Sequence, residues 1–208
     1  MRIVILGLGR VGSQLLSALS GGHVSVVAVD RDQATCEKIA ADYSATVICG
    51  DFTDPEILDS VKFSRGDQVY AVSGLEEANF LASMYAKQAG AGKVVVKVDT
   101  PAHAVLLDKL GLQAFVGEKM IAQHLANQVL LPTIFELLSP GQSNLELFEE
   151  TIPDKHKDMT VDELNADKDL NVVALYDGKK FILPASGMTL GKGVKLIAIS
   201  TGKRKAFK

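Results

Sequence analysis

The stretch MRIVILGLGRVGSQLLSALSGGHVSVVAVD, residues 1–30, decides the fold. An apolar run (Ile3, Val4, Ile5, Leu6) leads straight into Gly7-Leu8-Gly9-Arg10-Val11-Gly12, and a helical pattern follows. A second apolar run over residues 24–29 stops at an acid, Asp30. This is a strand, a glycine turn, a helix, and a second strand with a carboxylate at its tip, the layout that holds an adenine nucleotide. Gly7 permits the tight turn, Gly9 lets backbone approach a pyrophosphate, and Gly12 lets the helix pack close to the sheet. The N–H groups near Val11 would face the phosphates, helped by the helix dipole. Asp30 stands where an acid accepts hydrogen bonds from ribose hydroxyls. An acid there disfavours a 2′-phosphate, which points to NAD or ATP/ADP over NADP, although the adjacent Arg31 tempers that exclusion.

Working outward, strand-like and helix-like segments alternate through the first two-thirds of the chain. Helices are expected over residues 33–43, from Pro55 behind an Asp54 cap, over 76–89 and over 101–110; strands over 45–49, 68–73, 93–98 and 113–116. The helix at 76–89 is expected to place Phe80, Leu81, Met84 and Tyr85 on its apolar stripe. Such alternation implies a parallel sheet with helices on both faces. Residues 119–138 form a longer amphipathic pattern broken by Pro132, which should bend or split the helix. Its apolar residues (Leu125, Val129, Leu130, Ile134, Leu137, Leu138) exceed what one helix face needs, so a second subunit is expected to share it. Ser139-Pro140-Gly141-Gln142-Ser143 reads as a linker. Beyond it, Thr160 and Glu163 form a capping box, and Asp177-Gly178 marks a hairpin between two strand-like runs. The fold class is therefore α/β, a Rossmann-like doubly wound parallel sheet followed by a linking helix and a small α+β C-terminal lobe. The expected divisions are 1–118 for the nucleotide-binding domain, 119–143 for the helix and linker, 144–200 for the lobe and 201–208 for a basic tail.

The chain of 208 residues carries a net charge of −3, which argues against a general nucleic-acid binder. Only its end is basic, through Lys203, Arg204, Lys205 and Lys208, and this reads as a solvated tail. No apolar stretch approaches the roughly 20 residues that span a bilayer, and no secretory signal is read at the N-terminus. A cytoplasmic location is therefore expected. The cysteines, Cys36 and Cys49, are expected to be reduced packing thiols. Neither they nor His23, His103, His124 and His156 show metal-ligand spacing. His103, just after Thr100-Pro101, is expected to cap or pack.

Several linked segments resemble the Trk/Ktr-type potassium-uptake regulators, the RCK (regulator of K⁺ conductance) family. They are the glycine turn with Arg10 in its fourth position, Val29-Asp30-Arg31-Asp32, and Gly50-Asp51-Phe52-Thr53-Asp54-Pro55-Glu56-Ile57-Leu58. Further on come Asn79, then Pro101-Ala102-His103-Ala104-Val105-Leu106-Leu107, and then Glu118. Residues 159–164 and 182–196 resemble the family's C-terminal lobe, with Val194 standing where the family often has an acid. The resemblance implies a cytosolic nucleotide-binding regulatory subunit, peripheral to the inner face of the membrane and joined to a potassium-translocating subunit, with no nucleic-acid partner. It implies a homodimer or a higher ring, an octamer among them, whose shape changes with the nucleotide bound. By matching positions, Gly7, Gly9, Arg10, Val11 and Gly12 would hold phosphates and Asp30 the ribose, with Arg31 beside it. Asp51 and Phe52 would flank the adenosine, and Ser73 and Gly74 would close over it. Glu118 resembles a carboxylate near the phosphates and a divalent ion, and read alone it is an ordinary surface acid. The alternative to a regulator is an NAD-dependent oxidoreductase with a small accessory domain, which needs an acid or base over the nicotinamide. A stand-alone nucleotide sensor is a third reading.

Overall fold

The computed structural model describes residues 1–22, 24–138, 144–167 and 169–201. The linker at 139–143, the basic tail, His23 and the side chain of Leu138 lie outside the described residues. The chain divides into two compact units, Met1–Gln123 and His124–Lys208.

In the first unit, β1 (Arg2–Leu6), α1 (Arg10–Leu19), β2 (Ser25–Asp30), α2 (Gln33–Asp42), β3 (Thr46–Cys49) and α3 (Pro55–Val61) are followed by β4 (Asp67–Ala71), α4 (Glu76–Gln88), β5 (Lys93–Val98), α5 (Pro101–Lys109), β6 (Gln113–Val116) and the start of α6 (Gly117–Leu130). All strand pairs are parallel, in the order β3-β2-β1-β4-β5-β6. Two-residue alternation gives the sheet two buried faces. Val4, Leu6, Val27 and Val29 meet Leu58, Ala82, Ala86 and Leu107 of α3, α4 and α5. Ile3, Ile5, Val26 and Ala28 meet Leu16 of α1 and Ile39 of α2 on the other face. The strand order reverses direction between β1 and β4, so the connections leaving their carboxyl ends run to α1 and α4 on opposite faces of the sheet and leave a crevice there.

One ion pair ties the opposite end of the sheet. Arg2 opens β1 and Asp67 opens β4, and the two are register partners. The guanidinium donates to both carboxylate oxygens, Nε at 3.0 Å and Nη2 at 2.7 Å, and Nη2 also donates to the Lys62 carbonyl at 2.8 Å. Burial pushes the Asp67 carboxyl up, but the bonds from Arg2 and from the Ser64 N–H outweigh it and hold the group below the usual carboxylate range. Arg2→Met should therefore lower stability by about 2–3 kcal/mol at neutral pH, because it strands a buried carboxylate. A carboxyl with a lowered folded-state pKa contributes above its unfolded value of about 4 and loses that contribution as pH falls through the folded value. Urea melts should show the deficit of the variant shrinking below about pH 4.

Helix α4 departs from the sequence expectation. Its buried residues are Asn79, Ala82, Ser83 and Ala86, while Phe80 and Leu81 are exposed and Met84 and Tyr85 are half-buried. The helix lies close on β4 and β5, where only small side chains fit, and the Asn79 amide turns that face inward through its bonds to strand-end backbone. Cys49 also departs: β3 is an edge strand, and the thiol is exposed and donates to Gln33 Oε1 at 3.1 Å. Cys36 packs as expected, its thiol pushed up to about 12, chiefly by burial, which leaves it protonated and unreactive at neutral pH.

Pro132 splits the long helical pattern into α6 and α7 (Pro132–Leu138), with Leu131 between them. Leu125, Val129, Leu130 and Ile134 are all exposed along it, and Leu137 is half-buried. In the second unit, β7 (Leu145–Thr151), α8 (Val161–Asn165), β8 (Leu170–Tyr176), β9 (Phe181–Ile182) and β10 (Lys195–Thr201) form an antiparallel sheet in the order β7-β10-β8-β9 over one helix. Val161, Leu164, Leu170, Val172, Leu196 and Ala198 build its core. The Thr160–Glu163 capping box is present, and Asp177 holds the hairpin by accepting from the Lys179 and Lys180 N–H groups. No helix of the described residues is long and apolar enough to cross a membrane.

Candidate nucleotide site

The glycine turn sits at the carboxyl end of β1, in the crevice where the strand order reverses. Gly7 has φ +93°, a left-handed conformation, and a Cβ there would lie 2.8 Å from Ser73 Cβ. Gly12 is tighter still, for its Cβ would meet the Gly7 carbonyl oxygen at 1.9 Å. Both positions are closed to any side chain. Gly9 is the opposite case, with nothing within 4 Å of its would-be Cβ. It is also the N-cap of α1 and supplies no side-chain cap, and Gly9, Arg10 and Val11 at that helix start line an open cavity. A pyrophosphate fits that cradle: backbone donors, a positive helix end and no side chain in the way.

Asp30, at the tip of β2, joins the turn to the neighbouring strand. Its Oδ2 accepts from the Leu8 N–H at 2.5 Å and its Oδ1 from the Asp32 N–H at 2.9 Å. A carboxylate offers about four acceptor positions, so capacity remains for a ribose diol. Asp30 therefore shapes the turn and keeps acceptor capacity at the edge of the cleft.

Two cavities flank the turn and share Ser73 and Gly74. One, of about 410 Å³, is lined by Asp30, Arg31, Asp51, Phe52, Thr53, Ser73, Gly74, Leu75 and Ala78. The other, of about 580 Å³, is lined by Gly9, Arg10, Val11, Val72, Ser73, Gly74, Lys97, Asp99, Gly117, Glu118 and Ile121. In the smaller cavity Asp51 accepts from the Thr53 N–H and hydroxyl, and these bonds hold its carboxyl below the usual range, with Arg31 adding a weaker attraction. Phe52 is mostly a core residue, only 7% exposed, and shows the cavity an edge. The larger cavity brings Arg10 and Glu118 together although 107 positions separate them in the chain. Among the described residues no group of three or more His, Cys, Asp or Glu side chains could hold a metal.

The loop between the cavities is held from beneath. Asn79, fully buried, accepts from the Ser73 N–H at 2.9 Å and donates to the carbonyls of Ser73 and Lys97, each at 3.1 Å. One amide thus fixes the ends of β4 and β5 to each other. His103 lies elsewhere: its ring is exposed and bonded to Glu76, on a separate cavity of about 240 Å³ between α4 and α5, and it neither caps the helix nor packs in the core. Glu76 also accepts from the Asp99 N–H at 2.7 Å, and that bond chiefly lowers its carboxyl pKa.

Residues 3–118, more than half of the chain, match the TrkA-N domain. The chain belongs to the TrkA-N family. It is 29% identical over 199 residues to a Trk system potassium uptake protein TrkA homolog of Methanothermobacter thermautotrophicus, across 94% of this chain and 92% of that one. It is 28% identical over 183 residues to Ktr system potassium uptake protein C of Bacillus subtilis, across 86% and 82%. Among solved structures, the GsuK channel bound to NAD superposes with a TM-score of 0.50 at 19% identity, covering 96% of this chain and 36% of that one. This last likeness is one of fold.

Other residues that the sequence did not single out also line the cleft: Thr53, Leu75, Ala78, Val72, Lys97, Asp99 and Gly117 within the TrkA-N domain, and Ile121 just beyond it. Most carry no local signal, since loop-tip and strand-end residues become neighbours only when β4 and β5 take their places beside β1. Lys97 did carry one. A lysine near the carboxyl end of the otherwise valine-rich run KVVVKV sits where open α/β sheets bind ligands.

Proposed function

We propose that this chain is a cytosolic regulatory subunit that binds an adenine nucleotide and thereby controls a potassium-translocating membrane protein. The observation that carries the reading is the cradle itself, in which glycine positions closed to side chains, an open Gly9 and the Asp30 carboxylate converge at a switch point of the sheet. The TrkA homolog and the Ktr protein, each named for potassium uptake and matched over most of both chains, support the partner class. The NAD-bound GsuK channel supports the ligand class.

In this reading Gly7, Gly9, Val11 and Gly12 present backbone to the phosphates and Arg10 adds a guanidinium fork suited to their oxygens. Asp30 accepts from the ribose, Arg31, Asp51 and Phe52 border the adenosine, and Ser73 and Gly74 close over it. NAD(H) and ATP/ADP share all these contacts. Glu118 would lend one carboxylate to a divalent cation whose remaining ligands come from phosphate and water. The exposed apolar row on α6 and α7 is the surface on which a second copy would pair, and dimers would assemble into a ring. A nucleotide shifts such an assembly between two shapes only by the difference in its affinity for them.

The test is a titration of the purified chain with ATP, ADP, NAD⁺ and NADH, together with affinity capture of the membrane subunit from solubilised membranes. Saturable binding of at least one adenylate is expected, with capture of a potassium-translocating protein and no consumption of NADH with small carbonyl or hydroxy substrates. Turnover of NADH would overturn the regulator reading in favour of an oxidoreductase.

A further inference from the structure

The two cysteines meet behind the tip of β2, and packing accounts for only one of them. Cys36 is buried on the inward face of α2 with Ile39. Cys49 ends β3, where Val47 packs toward α1 and α2 and Ile48 toward the opposite face. Two-residue alternation therefore turns Cys49 toward α2 as well, and its thiol donates to Gln33 Oε1 on the first turn of that helix. Cys49 is also the register partner of Asp30, whose carbonyl accepts from both the Cys36 thiol at 3.2 Å and the Gly50 N–H at 2.8 Å. The sulfurs consequently lie within hydrogen-bonding reach, and after burial it is the Cys49 thiol that does most to raise Cys36. One thiol is thus sheltered and the other open to solvent at a sheet edge. An exposed cysteine with one weak hydrogen bond adds little to folding, but beside a second thiol it has a partner for oxidation.

We propose that Cys36 and Cys49 form a reversible oxidation site, a dithiol that peroxide closes into a disulfide and that thereby loosens the adjoining nucleotide cleft. Left to itself Cys36 keeps its proton and is out of reach of solvent, so Cys49 reacts first. Its thiolate attacks one oxygen of hydrogen peroxide, the O–O bond breaks and hydroxide leaves, which gives a sulfenic acid. The Cys36 sulfur then attacks that sulfenic sulfur. The S–O bond breaks, and the displaced hydroxide departs as water with the Cys36 proton. Two electrons have passed from the sulfurs to the peroxide, and a small dithiol reductant returns them. In a reducing compartment disulfides are characteristically transient and redox-sensing. Closure brings the two Cβ atoms to about 3.8 Å. It draws the Cys36 thiol off the Asp30 carbonyl and the Cys49 thiol off Gln33, so the end of β3 shifts toward α2. That end runs directly into Gly50, Asp51 and Phe52, and the last two line the smaller cavity with Asp30. The effect on the cleft rests on the nucleotide-binding reading above, whereas the bond itself does not.

The test treats purified, reduced chain with a few equivalents of hydrogen peroxide and reads free thiols, mass and adenylate affinity before and after dithiothreitol. Both thiols should disappear with the loss of two hydrogens from a single chain, and affinity for ATP, ADP or NADH should fall a few-fold. Dithiothreitol should restore all three. Cys49→Ser should keep its Cys36 thiol and bind equally well with or without peroxide. Cys36→Ser should stop at a sulfenic acid on Cys49 that dimedone labels, and where that variant does not fold the Cys49→Ser comparison decides. Thiols that survive peroxide, a sulfinic acid in place of the bond, or a disulfide between two chains would overturn the site. A disulfide that leaves affinity unchanged would overturn its hold on the cleft. A reduced chain that binds no adenylate overturns the nucleotide reading instead, while the thiol count still decides the bond.

Discussion

Asp30→Ala is expected to weaken adenine-nucleotide binding by about a hundredfold or more, the largest functional effect of a single side chain here. Two losses combine. The ribose diol loses a charged acceptor, and hydrogen bonds to charged groups contribute about 1.5–3 kcal/mol each. The glycine turn also loses its tie to β2, because Asp30 Oδ2 is the acceptor for the Leu8 N–H at 2.5 Å. Part-buried backbone without its partner costs about 1–3 kcal/mol, and the turn becomes free to drift from its phosphate-binding shape. Asp30→Asn keeps a neutral acceptor and should fall between, with a loss of about tenfold. Calorimetry with ATP, ADP and NADH measures both variants. Affinity of the alanine variant within a few-fold of wild type would mean that the sugar lies elsewhere.

Gly12→Ala is expected to give the largest loss of stability, about 3 kcal/mol or more. The added methyl would stand 1.9 Å from the Gly7 carbonyl oxygen and 2.9 Å from its carbon. Both are backbone atoms of a turn fixed by Gly7 at φ +93° and by its N–H bond to the Val29 carbonyl, so no side chain can swing aside. Helix α1 must move away from the sheet instead, which uncovers Leu16 and Ile5. Gly9→Ala is the informative contrast. Its Cβ meets nothing within 4 Å, so urea melts should place it within about 1 kcal/mol of wild type. The methyl nevertheless projects into the phosphate cradle, so binding should fall sharply. A Gly9 variant that binds normally would argue that no phosphate approaches that face of the turn.

How much was readable in advance follows from the range of each signal. The parallel sheet with helices on both faces was legible because strand and helix periods alternate and every connection is short. The Asp54 and Thr160 caps and the Asp177-Gly178 hairpin were legible because each rests on bonds between residues two to four apart. The inward face of α4 was not. Periodicity favoured its large apolar residues, but the packing distance to β4 and β5 selects Asn79, Ala82, Ser83 and Ala86, and Phe80 and Leu81 are left outside. The exposed thiol of Cys49 was missed for a similar reason, since residue type does not say that β3 lies at the edge of the sheet.

The candidate site divides along the same line. Residues 1–30 alone determined the turn, its acid and the ligand class they suit, because strand, turn, helix and second strand are consecutive and their geometry is local. Only the folded chain decided that Arg10 and Glu118 share one cavity, that Asn79 locks the ends of β4 and β5, and that Lys97 points its ammonium into the cleft beside Asp99. Those relations depend on which strands become neighbours. Strand order is set by the burial of two whole sheet faces at once, a property of the assembled core that no short segment contains.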